Sequence, residues 1–203
     1  MIQIQDIFPT PIGLAKYTES LDSIKNVMME GSTQAVKNVA NAHTEDTYIL
    51  NRPDCENLKQ WIESQLQQYF VQTINPQSDC ELYITQSWIN YTNPGEHHHA
   101  HSHANSLISG VFYLHTNPGK DSITFLRPED NQISIEPKQQ NLYNASGITV
   151  SVETSDLVMF PSRLKHMVNP LSESDMTRVS LAVNTFVKGT IGSDKMLSSL
   201  TIQ

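Results

Sequence analysis

Apolar residues recur at helical spacing in the first third of the chain and at strand spacing beyond it. Leu21, Ile24, Val27 and Met28 stand three or four apart, and Leu58, Trp61, Ile62, Leu66, Tyr69 and Phe70 form a longer stripe of the same period. Both predict amphipathic helices. The stretch from Asn38 to Asp54 between them reads as a loop, and Asp54, just after Pro53, is placed to cap the second helix. From Glu81 the texture changes to short runs rich in β-branched and aromatic residues, bounded by Pro, Gly, Asn and Asp. They predict strands over Leu82–Thr92, Leu107–His115, Ser122–Leu126, Gln132–Ile135, Ile148–Glu153, Asp156–Phe160 and Arg178–Val187. Turns are expected at Asn93-Pro94-Gly95, Asn117-Pro118-Gly119 and Arg127–Asn131. At least seven short strands with no helix between them point to a sandwich or a closed barrel.

A chain of 203 residues fits one domain: a helical part over 1–80, a β core over 81–190 and a tail over 191–203. The net charge of −8 argues against nucleic acid or an anionic membrane as partner, since both call for a basic surface. Met1 to Leu14 lacks the basic and apolar regions of a leader, and no window reaches the roughly eighteen apolar residues of a spanning helix. A cytoplasmic location is expected. Cys55 and Cys80 are too few for a disulfide framework and read as buried thiols.

Five of the eight histidines lie in His97-His98-His99-Ala100-His101-Ser102-His103. A solvated polar loop is the bland reading of such a run. On a strand, however, residues two apart share a face, so His97 with His99, His99 with His101, or His101 with His103 can close on one metal. Imidazole suits iron, zinc, copper or nickel, so the pair does not name the metal. A third ligand is needed, and His43 and His166 stand away from the run; His166 follows the strand-like Asp156–Phe160 and precedes another strand. For His166 alone an ordinary buried or surface histidine is the simpler reading. Twelve residues on, Arg178 and Ser180 are two apart in an otherwise apolar strand, where a guanidinium and a hydroxyl can together bind a carboxylate. A buried arginine needs an anionic partner, and no acid in the sequence is an obvious match, which makes a ligand carboxylate attractive.

This order of H-x-H, a distal His after a hydrophobic-Phe turn, and an Arg about ten residues later resembles the iron(II)/2-oxoglutarate-dependent dioxygenases. Ile7-Phe8-Pro9-Thr10-Pro11-Ile12, Ser87-Trp88-Ile89-Asn90, His101-Ser102-His103-Ala104-Asn105-Ser106, Ser109-Gly110-Val111-Phe112-Tyr113-Leu114 and Asp156-Leu157-Val158-Met159-Phe160-Pro161-Ser162 are similar to a bacterial and phage family within that group. The resemblance covers nearly the whole chain, most strongly from Ser87 to Phe186. It implies a mainly β fold, a double-stranded β-helix (cupin-like jelly roll) with the N-terminal helices packed on one sheet. It also implies iron(II) on His101, His103 and His166, and 2-oxoglutarate as cosubstrate, its distal carboxylate on Arg178, Ser180 and Tyr113. Tyr91, ten residues before the first ligand, corresponds to a pocket tyrosine. The odd numbers of His101, His103 and Tyr113 agree with one strand face if no bulge intervenes. His97, His98 and His99 are expected outside the set of ligands.

The sequence departs from the family at His103, which occupies the usual carboxylate position and leaves the site more positive. Three-histidine iron sites occur in cupin-type thiol dioxygenases, which do not use 2-oxoglutarate; the Arg178-Ser180 pair argues for the cosubstrate. A zinc hydrolase is a weaker reading, because His101-x-His103-x-Asn105-Ser106 lacks the Asp and third His of the metallo-β-lactamase signature. A jelly-roll binding or structural module with a His-rich metal site is another alternative. The implied activity is a hydroxylase-type oxidation with decarboxylation of 2-oxoglutarate to succinate. Its substrate is a small molecule or a protein side chain, and a homodimer stays open.

Overall fold

The computed structural model describes residues 2–76, 80–128, 135–170, 172 and 175–203. Two helices, α1 (Lys25–Thr33) and α2 (Glu56–Thr73), stand among the strands β1 (Gly13–Lys16), β2 (Ala35–Lys37), β3 (Ala42–Thr44), β4 (Glu81–Thr92), β5 (His98–His101), β6 (Ile108–His115), β7 (Ser122–Leu126), β8 (Gly147–Ser151), β9 (Asp156–Pro161), β10 (His166–Val168), β11 (Arg178–Ile191) and β12 (Leu200–Ile202). The larger sheet runs β1-β9-β6-β11-β4-β3-β2, with β12 beside the end of β11; the smaller runs β5-β10-β7-β8. The strands pair antiparallel, and the two sheets face each other as a jelly roll with helices on the outer face of the larger one.

The stripe read from the sequence of α2 is the one it buries: Leu58, Ile62, Leu66, Tyr69 and Phe70. These side chains pack with Ile89, Phe112, Leu157, Met159, Leu181 and Val183 from the larger sheet. Gly110 lets that layer close, because a Cβ there would stand 3.0 Å from Val183 and 3.8 Å from Leu66. The alternate residues of the same strands point between the sheets, where Tyr113, Val158 and Phe160 meet Ile123 and Phe125 of β7. Both faces of the larger sheet are therefore covered, which is why its strands read as nearly continuous apolar runs.

Several expectations give way. Residues 1–80 contribute three strands as well as helices, and Ala42–Thr44 within the supposed loop pairs with β4 as an added strand. Asp54 does not cap α2: it lies in a 3₁₀ turn, Pro53–Cys55, and Cys55 takes the cap position without a side-chain bond. The strand expected over Gln132–Ile135 falls at 132–134 outside the described residues, as do 129–131 of the turn Arg127–Asn131; Ile135 itself is not in a strand. The last residues are not only a tail, since Leu200–Ile202 pairs with Gly189–Ile191.

Candidate metal and carboxylate site

His101 closes β5 and pairs across the smaller sheet with His166, the first residue of β10. His103 lies two residues past β5, where its backbone N–H donates to the Ser162 carbonyl at 2.9 Å. Asn105 then turns the chain towards β6 with φ of 54°, a left-handed conformation that Asn tolerates better than most residues. A hydroxyl network ties this loop down. Ser162 Oγ donates to Ser106 Oγ at 2.7 Å, Ser109 Oγ donates to Asn184 Oδ1 at 3.0 Å, and Ser109 and Ser162 share a hydrogen bond of 2.8 Å.

One nitrogen from each of His101, His103 and His166 lies within 4.8 Å of the others. The tautomers follow from the neighbours. His101 Nδ1 donates to the His99 carbonyl at 2.8 Å and His166 Nδ1 to the Leu164 carbonyl at 3.0 Å. A carbonyl can only accept, so both rings carry their proton on Nδ1 and present a bare Nε2. His103 Nε2 approaches His166 Nε2 at 3.4 Å, and the His103 ring is also hydrogen-bonded to the Asn184 side chain. Burial pushes His103 down to about 4 and His166 to about 3, with neighbouring imidazoles adding to both; burial lowers His101 as well. Three neutral imidazoles with carbonyl or amide partners behind them form a donor set that fits a divalent transition metal.

His98 is not in this group. Its ring stacks on His101 with centroids 4.4 Å apart and 17° between planes, forming part of the pocket wall. Burial pushes it down to about 3.

Facing the histidines, the inner side of the larger sheet contributes Arg178, Ser180 and Tyr113 to the same pocket. The register explains the grouping: Ser180 of β11 is opposite Asn90 of β4 on one side and Tyr113 of β6 on the other. Arg178 is 3% exposed and Tyr113 1%. Arg178 Nη2 and the Tyr113 hydroxyl are buried without a hydrogen-bond partner, and so is Asn90 Oδ1. Buried donors are rarely left unmatched, so this end of the pocket fits an oxygen-rich anionic group.

Three expectations fail here. Tyr91 is not in the pocket: on β4 it points to the opposite face, where its hydroxyl donates to the Met28 carbonyl at 2.7 Å and burial raises it to about 12. Odd-even alternation puts Trp88, Asn90 and Thr92 inside instead. Arg178 also has an acidic partner, contrary to the sequence reading, for its Nη1 donates to Asp121 Oδ1 at 2.9 Å. Tyr113 reaches the pocket, but not through the shared parity with His101 and His103, since a loop separates the strands and His101 belongs to the other sheet.

A family model described as "Putative 2OG-Fe(II) oxygenase" matches residues 86–184, the span from β4 to β11 that holds the pocket. No curated protein matches the sequence. Among solved structures, the chain is similar to HygX from Streptomyces hygroscopicus, crystallised with nickel, 2-oxoglutarate and hygromycin B. The identity is 10% and the TM-score 0.59, over 87% of this chain and 82% of that one. It also resembles a Pseudomonas putida prolyl-4-hydroxylase at 13% identity and TM-score 0.56, covering 87% and 92%. The epimerase SnoN from nogalamycin biosynthesis gives 11% and 0.61, covering 87% and 78%. At these identities the likeness is one of fold.

Proposed function

We propose that the chain, whose residues 86–184 match the 2OG-Fe(II) oxygenase family model, is an iron(II)- and 2-oxoglutarate-dependent hydroxylase with a three-histidine metal site. His101, His103 and His166 would hold the iron through Nε2, and Arg178, Ser180 and Tyr113 the distal carboxylate of 2-oxoglutarate. The observation that carries this reading is the pair of buried, unpartnered donors, Arg178 Nη2 and the Tyr113 hydroxyl, lining the same pocket as the converging imidazoles. When bound, iron(II) supplies the oxygen activation that is coupled to decarboxylation of 2-oxoglutarate to succinate.

The protein's own part is positioning. The carbonyls of His99 and Leu164 hold two imidazoles in the ligating tautomer, and Asn184 orients the third. The apolar wall of Val111, Ile123 and Ala182 limits water around the carboxylate anchor, which strengthens a charge-assisted hydrogen bond there. No side chain is needed to move a proton. The substrate reads as a small molecule or a protein side chain; among proteins of this fold, HygX was crystallised with hygromycin B bound and another is a prolyl-4-hydroxylase.

Anaerobic titration of the iron(II)-loaded protein with 2-oxoglutarate tests the reading. Saturable binding that depends on both metal and Arg178 is expected. A metal-loaded protein that does not bind 2-oxoglutarate would favour a three-histidine dioxygenase of another cosubstrate class.

A further inference from the structure

Arg178 is held before any ligand arrives. Its ion pair with Asp121 joins side chains only 4% and 0% exposed. The second carboxylate oxygen, Oδ2, accepts from the Asn117 backbone N–H at 2.7 Å and from Asn117 Nδ2 at 3.2 Å. Asn117 also reaches the chain just ahead of β11: its Nδ2 donates to the Met176 carbonyl at 3.0 Å, and its Oδ1 accepts from the Met176 N–H at 2.8 Å. The Asp121 carbonyl in turn accepts from the Val152 N–H at 3.0 Å. The turn Asn117–Asp121 thus grips the chain two residues before the arginine and the guanidinium at the far end of its side chain.

This grip has a geometric consequence. An arginine on a loose stem can follow a carboxylate to several depths, whereas a planar guanidinium fixed at Nη1 has the direction of Nη2 fixed with it. The buried pair also carries no net charge, so the anchor discriminates among anions by placement more than by attraction.

We propose that Asp121 is a positioning residue which, by pinning the Arg178 guanidinium, sets the chain length of the 2-oxo dicarboxylate that the pocket accepts. The inference rests on the reading of Arg178 as carboxylate anchor. A pinned anchor facing fixed metal ligands defines one span, suited to the five-carbon 2-oxoglutarate and not to its six-carbon homologue, 2-oxoadipate. Removing the pin releases the guanidinium along its stem and lets the longer diacid in.

Calorimetric titration of the metal-loaded protein with 2-oxoglutarate and with 2-oxoadipate, without oxygen, tests this. The wild type should prefer 2-oxoglutarate, and Asp121→Asn should reduce that preference by about tenfold, the order expected for losing one charge-assisted contact. Because Asp121→Asn leaves a buried arginine uncompensated and can fail to fold, Asn117→Ala serves as the second variant. It keeps the ion pair and the backbone N–H bond to Oδ2 but removes the side-chain bonds to Oδ2 and to Met176, and a smaller loss of preference in the same direction is expected. A mere folding defect would reduce binding of both diacids in proportion and leave their ratio unchanged. Folded variants that keep the wild-type ratio overturn the inference and leave the anchor reading standing; wild-type protein that binds neither diacid overturns both.

Discussion

Around the pocket, the larger sheet presents two faces of different character, apolar towards α2 and partly polar towards the smaller sheet. On the helix side, Ile89, Phe112, Leu157, Leu181 and Val183 are fully buried and apolar, and they pack against α2. On the side facing the smaller sheet, the neighbouring residues Asn90, Tyr113, Ser180 and Arg178 are just as inaccessible but polar, and three of them carry atoms with no partner. The first face gains about 1.5–3 kcal/mol for each large side chain it buries. The second leaves donors unsatisfied at a cost of about 1–3 kcal/mol each. That difference separates scaffold from site more sharply than depth or cavity shape does: one face is complete in the chain itself, and the other is complete only with a ligand.

Substitutions should divide along the same line. The largest effect is expected for His101→Ala or His166→Ala, each of which removes one of three converging nitrogens and should abolish specific binding of a divalent transition metal, read by calorimetry, while the fold survives. Next, Leu181→Ala on the helix side should destabilise the protein by about 2–5 kcal/mol in chemical denaturation. The folded fraction should still bind 2-oxoglutarate as the wild type does. Conversely, Arg178→Met on the pocket side should weaken 2-oxoglutarate binding by about 1.5–3 kcal/mol with metal affinity nearly unchanged. Equal loss of metal and cosubstrate in that variant would make Arg178 structural and erase the contrast between the faces.

Acidity sharpens it further. In the folded protein burial holds His98 and His166 down to about 3 and His103 to about 4, whereas unfolded histidines titrate near 6.5. The unfolded state therefore takes up protons first as pH falls. The stability these neutral rings contribute is complete above about pH 6.5 and is lost progressively towards about pH 3. The melting temperature of metal-free protein should fall between pH 7 and pH 5, before most carboxylates titrate; a flat profile over that interval would contradict the burial of these rings. The smallest effect is expected at Asn184→Ala, which removes the amide partner of His103 and should weaken metal binding by about tenfold.

The long strands were legible because their composition and turn boundaries are strong signals. Ser122–Leu126 matches at both ends, and Leu82–Thr92, Leu107–His115 and Asp156–Phe160 differ from β4, β6 and β9 by one residue. The strands that escaped, Gly13–Lys16, Ala35–Lys37, Ala42–Thr44, His98–His101, His166–Val168 and Leu200–Ile202, have three or four residues each. Strands so short owe their form to a neighbouring strand more than to their own propensity. The three histidines could be picked out from spacing and family resemblance, and so could Arg178 with Ser180. Tyr91 was placed in the pocket by resemblance alone; on β4 the polar Asn90 and Thr92 hold the pocket parity and Tyr91 the other. Asp121 was missed for another reason: it lies 57 residues from Arg178 in sequence, behind a turn that looks ordinary.

The central claim is that this pocket joins a three-histidine metal site to a carboxylate anchor for 2-oxoglutarate. Succinate formation measures it most directly: protein reconstituted with iron(II) under anaerobic conditions, then given oxygen, ascorbate and 2-oxoglutarate without a second substrate. Slow conversion of 2-oxoglutarate to succinate, abolished in His101→Ala and reduced in Arg178→Met, is the result expected. Fully iron-loaded protein that forms no succinate and does not bind 2-oxoglutarate would contradict the account.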